Sequence, residues 1–153
     1  MIVFRLSKSK YSNDLSGRGA ERSGGRWNSK GVSMVYTGES RALCTTEIAV
    51  HTPLGNLPTD YEIISIEIPD ELISVLDFPA LNEDWRSFPY THFTQEIGDK
   101  FISDNVHLAL KVPSVVVPGD YNYLINPHHK DFSMVKIMEI TAFEFDERLF
   151  IKY

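Results

Sequence analysis

Short segments with the pattern of β-strands recur along the chain, and only two segments between them have the spacing of a helix. In residues 61–68, for example, every second residue is apolar, as in a half-buried strand. The other predicted strands are residues 2–6, 34–37, 112–117, 123–125, 134–143 and a short one within 145–153. Because strands and helices do not alternate in a βαβ rhythm, the pattern predicts an α+β fold rather than a doubly wound parallel sheet.

The two predicted helices are placed by their start signals and their apolar spacing. Ser40 is a suitable N-cap for a helix that runs to His51, and Pro53 helps to end it. A second helix is predicted around Phe93, Ile97 and Phe101, which are spaced by four residues, although Gly98 lies inside it. Residues 12–33 are rich in Gly, Ser and Arg without hydrophobic periodicity, so a long loop is expected, and such loops are often functional.

The size of the chain favours one domain that spans residues 1–153. No window approaches the roughly 18 apolar residues needed to cross a bilayer, and the N-terminus lacks the pattern of a signal peptide. We therefore expect no membrane association and a cytoplasmic protein. The single cysteine, Cys44, excludes an internal disulfide, which suits a reducing compartment.

The charge is unevenly distributed along the chain. The net charge of −6 counts against tracking along nucleic acid, which is driven by a basic excess. Residues 1–30, however, contain only two acidic residues and seven of the 15 basic ones: Arg5, Lys8, Lys10, Arg18, Arg22, Arg26 and Lys30. This part of the chain is where we expect an anionic ligand to bind.

Glu47 is the most informative single residue. On the predicted helix it shares a face with Leu43 and Val50, so a carboxylate interrupts an apolar stripe. Burial of an unpaired carboxylate costs several kcal/mol. Glu47 must therefore meet donors, a cation or a ligand cavity, unless it lies at the edge of the stripe and reaches water.

Arg26 follows Gly24 and Gly25 and precedes Trp27. The glycines allow the backbone to bend and approach a ligand, and a guanidinium offers paired donors suited to a phosphate. The alternative is a turn that carries a surface arginine. The sequence contains neither a P-loop nor a Rossmann dinucleotide fingerprint.

Two further residues are candidates for the same site. Tyr36, near the end of a predicted strand, could stack on a flat heterocycle, or could be an ordinary core tyrosine. Ser114 is an isolated hydroxyl at an apolar strand, and its alternative is a hydrogen bond to nearby backbone. The histidines lack ligand spacing, so we expect no metal. Cys44 is expected in the core.

Taken together, these motifs resemble the RES domain, the toxin half of bacterial toxin–antitoxin pairs. The similarity starts with the stretch that begins at Gly24, and Gly31 and Tyr36 follow it. It also includes the segment from Ala42 to Glu47 and the pair Gly98-Asp99. It continues through the stretches that begin at Val112 and Asn122 and closes at Asp131-Phe132, with residues 52–95 matching least. The arginine, glutamate and serine that give the family its name fall on Arg26, Glu47 and Ser114.

The resemblance implies an α+β fold similar to ADP-ribosyltransferases, with NAD bound in a cleft as the substrate and no resident cofactor. It assigns catalysis to Glu47, Arg26, Tyr36 and Ser114. NAD binding is expected to involve Arg26, Trp27, Asn28, Tyr36, Ser114 and Asn126. It also implies an Xre-like helix-turn-helix antitoxin as the partner, and it leaves a homodimer open.

Four functional hypotheses follow. The leading one is a toxin that depletes NAD as a glycohydrolase or phosphorylase, and the alternative is an ADP-ribosyltransferase that modifies a protein. An RNA-cleaving toxin is disfavoured by the acidic charge and the lack of an evident acid–base histidine pair. A non-catalytic interaction module predicts that loss of the Glu47 charge changes nothing.

Overall fold

The computed structural model describes residues 1–77 and 81–153. The described chain forms one mixed seven-stranded sheet with three α-helices, so the predicted α+β class is confirmed. The strands are β1 (Ile2–Lys8), β2 (Val35–Gly38), β3 (Tyr61–Glu67), β4 (Ile73–Val75), β5 (Ala109–Pro113), β6 (Tyr121–Ile125) and β7 (Lys136–Phe143). The helices are α1 (Arg18–Ser23), α2 (Arg41–His51) and α3 (His92–Asp104). None of the helices in the described residues is long and apolar enough to cross a membrane.

The strand order in the sheet is β4-β5-β6-β2-β1-β3-β7, with only β4 and β5 parallel. Strand β1 pairs with β3 along its whole length, from Ile2 to Lys8. Its pairing with β2 on the other side is limited to Phe4 opposite Gly38. Strand β1 is therefore fully paired on the side of β3 and largely unpaired on the side of β2.

Alternate residues of the central strands pack into two hydrophobic clusters, as the two-residue period of a strand requires. Tyr123 and Ile125 of β6 join the cluster that contains Ile64, Ile66 and Ile68 of the β3 region. Leu124, between them, packs in the second cluster with Trp27 and Trp85, against the apolar face of α3. The three predicted residues of that face, Phe93, Ile97 and Phe101, all pack there.

Helix α2 begins where the sequence predicts. The side chain of Ser40 accepts a hydrogen bond from the backbone N–H of Leu43 at 3.0 Å, and the helix ends at His51. Leu43 and Cys44 are buried, and the thiol of Cys44 donates to the carbonyl of Phe4 in β1 at 3.3 Å. Val50, expected on the apolar stripe, is instead mostly exposed. The helix therefore presents one end of its inner face to the core and the other to a cavity.

Several sequence expectations about local structure are wrong. The predicted loop of residues 12–33 contains α1, and the short strand β4 was not predicted. Residues 114–117 do not continue β5, since the hydroxyl of Ser114 accepts hydrogen bonds from Val116 and Val117 and turns the chain. Residues 145–153 contain a short 3-10 helix over Glu147–Leu149 rather than a strand, with Asp146 capping it.

Candidate functional site

A cavity of about 810 Å³ opens beside the part of β1 that is not paired with β2. Arg5 and Leu6 of β1 line it, as do Tyr36 and Thr37 of β2. These are the residues that would have continued the β1–β2 ladder beyond Phe4 and Gly38. A cavity of this volume falls within the usual range for sites that bind small molecules, about 300–1,000 Å³.

Glu47 projects from α2 into the wall of this cavity and is half-buried. Its Oε1 accepts a hydrogen bond of 2.7 Å from Nδ2 of Asn122, on β6. Burial raises the pKa of Glu47, and the bond from Asn122 acts in the opposite direction. Two of the environments that the sequence allowed for this carboxylate, a donor and a cavity, are therefore present.

Arg26 also lines the cavity and belongs to residues 24–29, which we call the arginine loop. One guanidinium nitrogen, Nη1, donates to the carbonyl of Trp85 at 2.8 Å and to that of Ser87 at 3.1 Å. The guanidinium also lies over the ring of Tyr90, 5.8 Å from its centroid. Partial burial lowers the pKa of Arg26, but an arginine stays charged in proteins.

Helix α3 holds the arginine loop through side-chain bonds to its backbone. Nε2 of Gln95 donates to the carbonyls of Gly25 and Asn28, at 3.0 and 3.1 Å. The carboxylate of Asp99 accepts from both the N–H and the hydroxyl of Ser29. Gly98 lies between them, and a Cβ there would be 1.6 Å from the carbonyl oxygen of Trp27. The loop therefore rests directly on the helix backbone.

Tyr36 fixes the same loop from the sheet. Its hydroxyl accepts from the N–H of Trp27 at 3.1 Å and donates to Oδ1 of Asn28 at 2.6 Å. Burial is the main cause that raises the pKa of the Tyr36 phenol. A Cβ on Gly25 would lie 2.7 Å from that hydroxyl, which explains the glycine. Because the hydroxyl is already bonded to the loop, the ring is the part of Tyr36 that can face a ligand.

The cavity is locally basic although the chain is acidic. Three arginines line it, Arg5, Arg26 and Arg86, whereas Glu47 is the one carboxylate among the described residues that does. Arg5 and Arg26 both belong to the basic front part of the chain, as expected. This surplus of positive charge suits an anionic ligand, because opposite charges attract more strongly in a partly enclosed site than in bulk water.

Of the six predicted binding or catalytic residues besides Glu47, three line this cavity: Arg26, Trp27 and Tyr36. Asn28 is fully buried beneath the loop, where its Nδ2 donates to the carbonyls of Ala20 and Val32. Its contribution in this structure is to shape the arginine loop. The role in NAD binding that the sequence assigns to Asn28 stays a prediction.

Ser114 and Asn126 are not among the residues that line the cavity. Ser114 is buried and bonded to nearby backbone, the alternative that its sequence position left open, while its neighbours Val115 and Val116 reach the cavity. Asn126 is fully buried, and its Nδ2 donates to Oδ1 of Asn105 at 2.8 Å. Any contact of these two residues with NAD stays a prediction.

Sequence reasoning missed three residues that shape the site: Asn122, Gln95 and Asp99. Asn122 and Asp99 stand in the stretches that carried the family resemblance, which was the only signal available for them. Cys44 was expected in the core. It is buried at the wall of the cavity, and burial raises the pKa of its thiol to about 12, so it is not a thiolate nucleophile at neutral pH.

Comparison with known proteins gives consistent results. The chain matches the model of the RES domain over residues 2–146. A protein called Toxin Res from Photorhabdus laumondii is 37% identical over 151 residues, which cover 97% of this chain and 97% of that protein. A protein called Prs ADP-ribosylating toxin, from a Sphingobium species, is 36% identical over 144 residues, covering 92% of this chain and 89% of that protein.

A solved structure shares the fold. In the crystal structure of the MbcT–MbcA toxin–antitoxin complex of M. tuberculosis, one chain superposes with a TM-score of 0.75. The superposition covers 97% of this chain and 86% of that chain, at 19% sequence identity. At this level of identity the likeness concerns the arrangement of the backbone.

Proposed function

The chain belongs to the RES domain family, and from this membership we propose that it is the toxin of a toxin–antitoxin pair and acts on NAD. We propose that it cleaves the bond between nicotinamide and ribose. The observation that carries the proposal is the cavity beside β1, which is lined by one half-buried carboxylate and three arginines. NAD has matching parts. Its pyrophosphate suits the arginines, and its ribose develops positive charge when the bond to nicotinamide breaks.

Glu47 is the proposed catalytic residue. When the nicotinamide leaves, the ribose passes through a state that resembles an oxocarbenium ion, as in glycoside cleavage. A fixed carboxylate stabilises that positive charge more in the transition state than in the substrate, which accelerates the reaction. Glu47 forms no ion pair in the described part of the chain, so its charge is not already neutralised by a neighbour.

The other residues that line the cavity have roles that follow from their chemistry. Arg26 is proposed to bind the pyrophosphate or a ribose, since only its Nη1 is used in the bonds to Trp85 and Ser87. Tyr36 offers its ring to the nicotinamide, because its hydroxyl is bonded to the arginine loop. Trp27 packs beneath them against Trp85, with ring centroids 6.2 Å apart.

The acceptor of the ADP-ribose distinguishes two candidate reactions. Transfer to water or phosphate makes the protein a NAD glycohydrolase or phosphorylase, which is our leading proposal. Transfer to a protein makes it an ADP-ribosyltransferase, and the name of the Sphingobium relative favours that candidate. Both reactions break the same bond and place the same demand on Glu47.

The proposed partner is an antitoxin with an Xre-like helix-turn-helix domain, on the strength of the family resemblance. The fold shared with a chain of the MbcT–MbcA complex is compatible with such a partner. Activity in the cytoplasm, where NAD is abundant, and assembly into a homodimer are further proposals that rest on the same resemblance.

Purified protein incubated with NAD tests the proposal directly. We expect free nicotinamide to accumulate with the wild type, and NAD labelled in its adenine half identifies the acceptor. A label in small molecules supports the glycohydrolase or phosphorylase, and a label on protein supports transfer. The matched control is Glu47→Gln, which removes the charge but keeps the shape. Intact NAD with folded wild type, with and without phosphate and cell lysate, would refute the proposal.

A further inference from the structure

The amide of Asn122 is held in one orientation between two strands and helix α2. Its Nδ2 donates to Oε1 of Glu47 at 2.7 Å and to the backbone carbonyl of Thr37, in β2, at 3.2 Å. Both N–H groups of the amide are therefore used. Asn122 is only 9% exposed, and it lines the cavity next to Glu47. The carbonyl of Thr37 thus fixes the amide so that its second N–H points at the carboxylate.

A donor in this position affects the ionisation of Glu47. Half-burial favours the protonated form of a carboxyl group, and the pKa of Glu47 is accordingly raised. A hydrogen bond to a carboxylate oxygen favours the charged form instead, and such bonds to ions are stronger than those between neutral groups. Asn122 is the one side chain that bonds to Glu47 in the described part of the chain.

We propose that Asn122 is a positioning residue that orients the Glu47 carboxylate at the cavity wall and keeps it ionised at neutral pH. The inference rests on the proposed function, since it gives a reason why Glu47 must be charged. An amide suits this task because it has no charge of its own. A lysine or arginine would hold the carboxylate equally well but would neutralise the charge that the developing cation on the ribose requires.

The first test measures the ionisation of Glu47 without any reaction. Carbon NMR of glutamate labelled at the carboxyl carbon gives its pKa, with the signal assigned by its loss in Glu47→Gln. In Asn122→Leu, which keeps the branched shape of the side chain and removes the donor, we expect the pKa of Glu47 to rise by about one unit, a tenfold change in its ionisation constant. Asn122→Ala provides a second variant should the leucine disturb folding, and Asn122→Ser, which retains a shorter donor, should give an intermediate shift.

The second test measures nicotinamide release against pH. If Glu47 acts in its ionised form, the acid limb of the profile should move to higher pH in Asn122→Leu, by the same amount as the pKa. The rate should then recover at alkaline pH, where Glu47 is ionised even without its donor. A variant that merely distorts the cavity would stay slow at every pH, so recovery separates control of charge from a structural role.

Other groups around the cavity require controls. The titratable or charged side chains that line it with Glu47 are Arg5, Arg26, Tyr36, Cys44, His51, Arg86 and Tyr90. All of them are present in both the wild type and Asn122→Leu. Repeating the comparison of these two proteins in a His51→Gln background removes the imidazole. Glu39→Gln is the matched control. The carboxylate of Glu39 accepts from the N–H of Tyr121, the residue before Asn122, and does not line the cavity.

The possible outcomes are distinct. An unchanged pKa of Glu47 in a folded Asn122 variant, or an equal shift in Glu39→Gln, would overturn the proposal. A raised pKa without recovery of the rate at alkaline pH would overturn the claim that Asn122 acts on the reaction through the charge of Glu47. If the wild type released no nicotinamide, the proposed function would fail, and the NMR titration would still decide whether Asn122 controls the ionisation of Glu47.

Discussion

Arg26 joins two irregular segments, and they are held in very different ways. The arginine loop, residues 24–29, is bonded to α3 by Gln95 and Asp99 and to the sheet by Tyr36. Residues 85–90, which we call the aromatic segment, have Trp85 as a buried anchor. Beyond it the segment is largely exposed, and Phe88 is 83% exposed. The loop is bonded to the rest of the protein at almost every residue, whereas the segment is held mainly at one end and by Arg26.

This difference indicates which side of the cavity is fixed and which can adapt. Irregular backbone becomes rigid when its polar groups have side-chain partners, and exposed segments with few buried contacts open most easily. Arg26 stands on the rigid side and reaches across to the carbonyls of Trp85 and Ser87. The firmly held backbone of the cavity is therefore the arginine loop, and the loosely held backbone is the aromatic segment, which Arg26 ties to it.

The largest expected effect comes from Gly98→Ala, which tests the support of the arginine loop by α3. The added Cβ would lie 1.6 Å from the carbonyl oxygen of Trp27, so backbone must move. We expect a loss of about 3 kcal/mol or more in the free energy of unfolding, at the upper end for overpacking. Gly19→Ala in α1 is the control, since a Cβ there meets nothing within 4 Å. Chemical denaturation of both variants measures the difference, and equal stabilities would contradict the close contact.

A smaller loss is expected for Tyr36→Phe, which keeps the ring and removes the hydroxyl. The N–H of Trp27 and Oδ1 of Asn28 would then lack their partner in a buried place. We expect the free energy of unfolding to fall by about 2 kcal/mol. Tyr11→Phe, at an exposed ring, should change it by less than about 0.5 kcal/mol. A Tyr36→Phe protein as stable as the wild type would show that the loop does not depend on this bond.

Arg26→Met tests the link between the two segments. It removes the donors to Trp85 and Ser87 and keeps much of the side-chain length. Because the site is partly open to solvent, we expect the free energy of unfolding to fall by only about 1 kcal/mol. Amide hydrogen exchange should accelerate in residues 85–90 and stay unchanged in residues 24–29. Faster exchange in both segments would mean that Arg26 also supports its own loop.

Phe88→Ala should have the smallest effect on stability. The ring is exposed although it lines the cavity, so its removal should change the free energy of unfolding by less than about 0.5 kcal/mol. Thermal unfolding of the variant beside the wild type measures this. A cost above about 1 kcal/mol would indicate that the aromatic segment is packed more firmly than its exposure suggests.

The sequence predicted those parts of the fold and site that depend on local pattern. Ser40 as an N-cap, the apolar face of α3 and the conflict between Glu47 and its apolar neighbours are all local features, and the structure confirms the first two. For Glu47 the structure supplies both a donor and a cavity. The N-cap, the apolar face and the conflict at Glu47 can be predicted because the residues that define them lie about one helical turn apart.

The parts that could not be predicted depend on contacts between distant residues. The bond between Asn122 and Glu47 joins β6 to α2, and the bond between Gln95 and Gly25 joins α3 to the loop. Ser114 shows the opposite failure. Apolar neighbours suggested a strand, but the hydroxyl turns the chain by accepting from Val116 and Val117. The sequence allowed this hydrogen bond to nearby backbone but did not show whether it or the strand would prevail.

The most direct test of the account is the level of NAD in bacteria during brief expression of the wild type and of Glu47→Gln. The variant should fold, because the amide oxygen of Gln can accept the bond from Asn122 that Oε1 of Glu47 accepts now. We expect total NAD to fall rapidly with the wild type and to stay constant with the variant. An equal fall with folded Glu47→Gln, or growth arrest by the wild type at constant NAD, would contradict the central role given to this carboxylate.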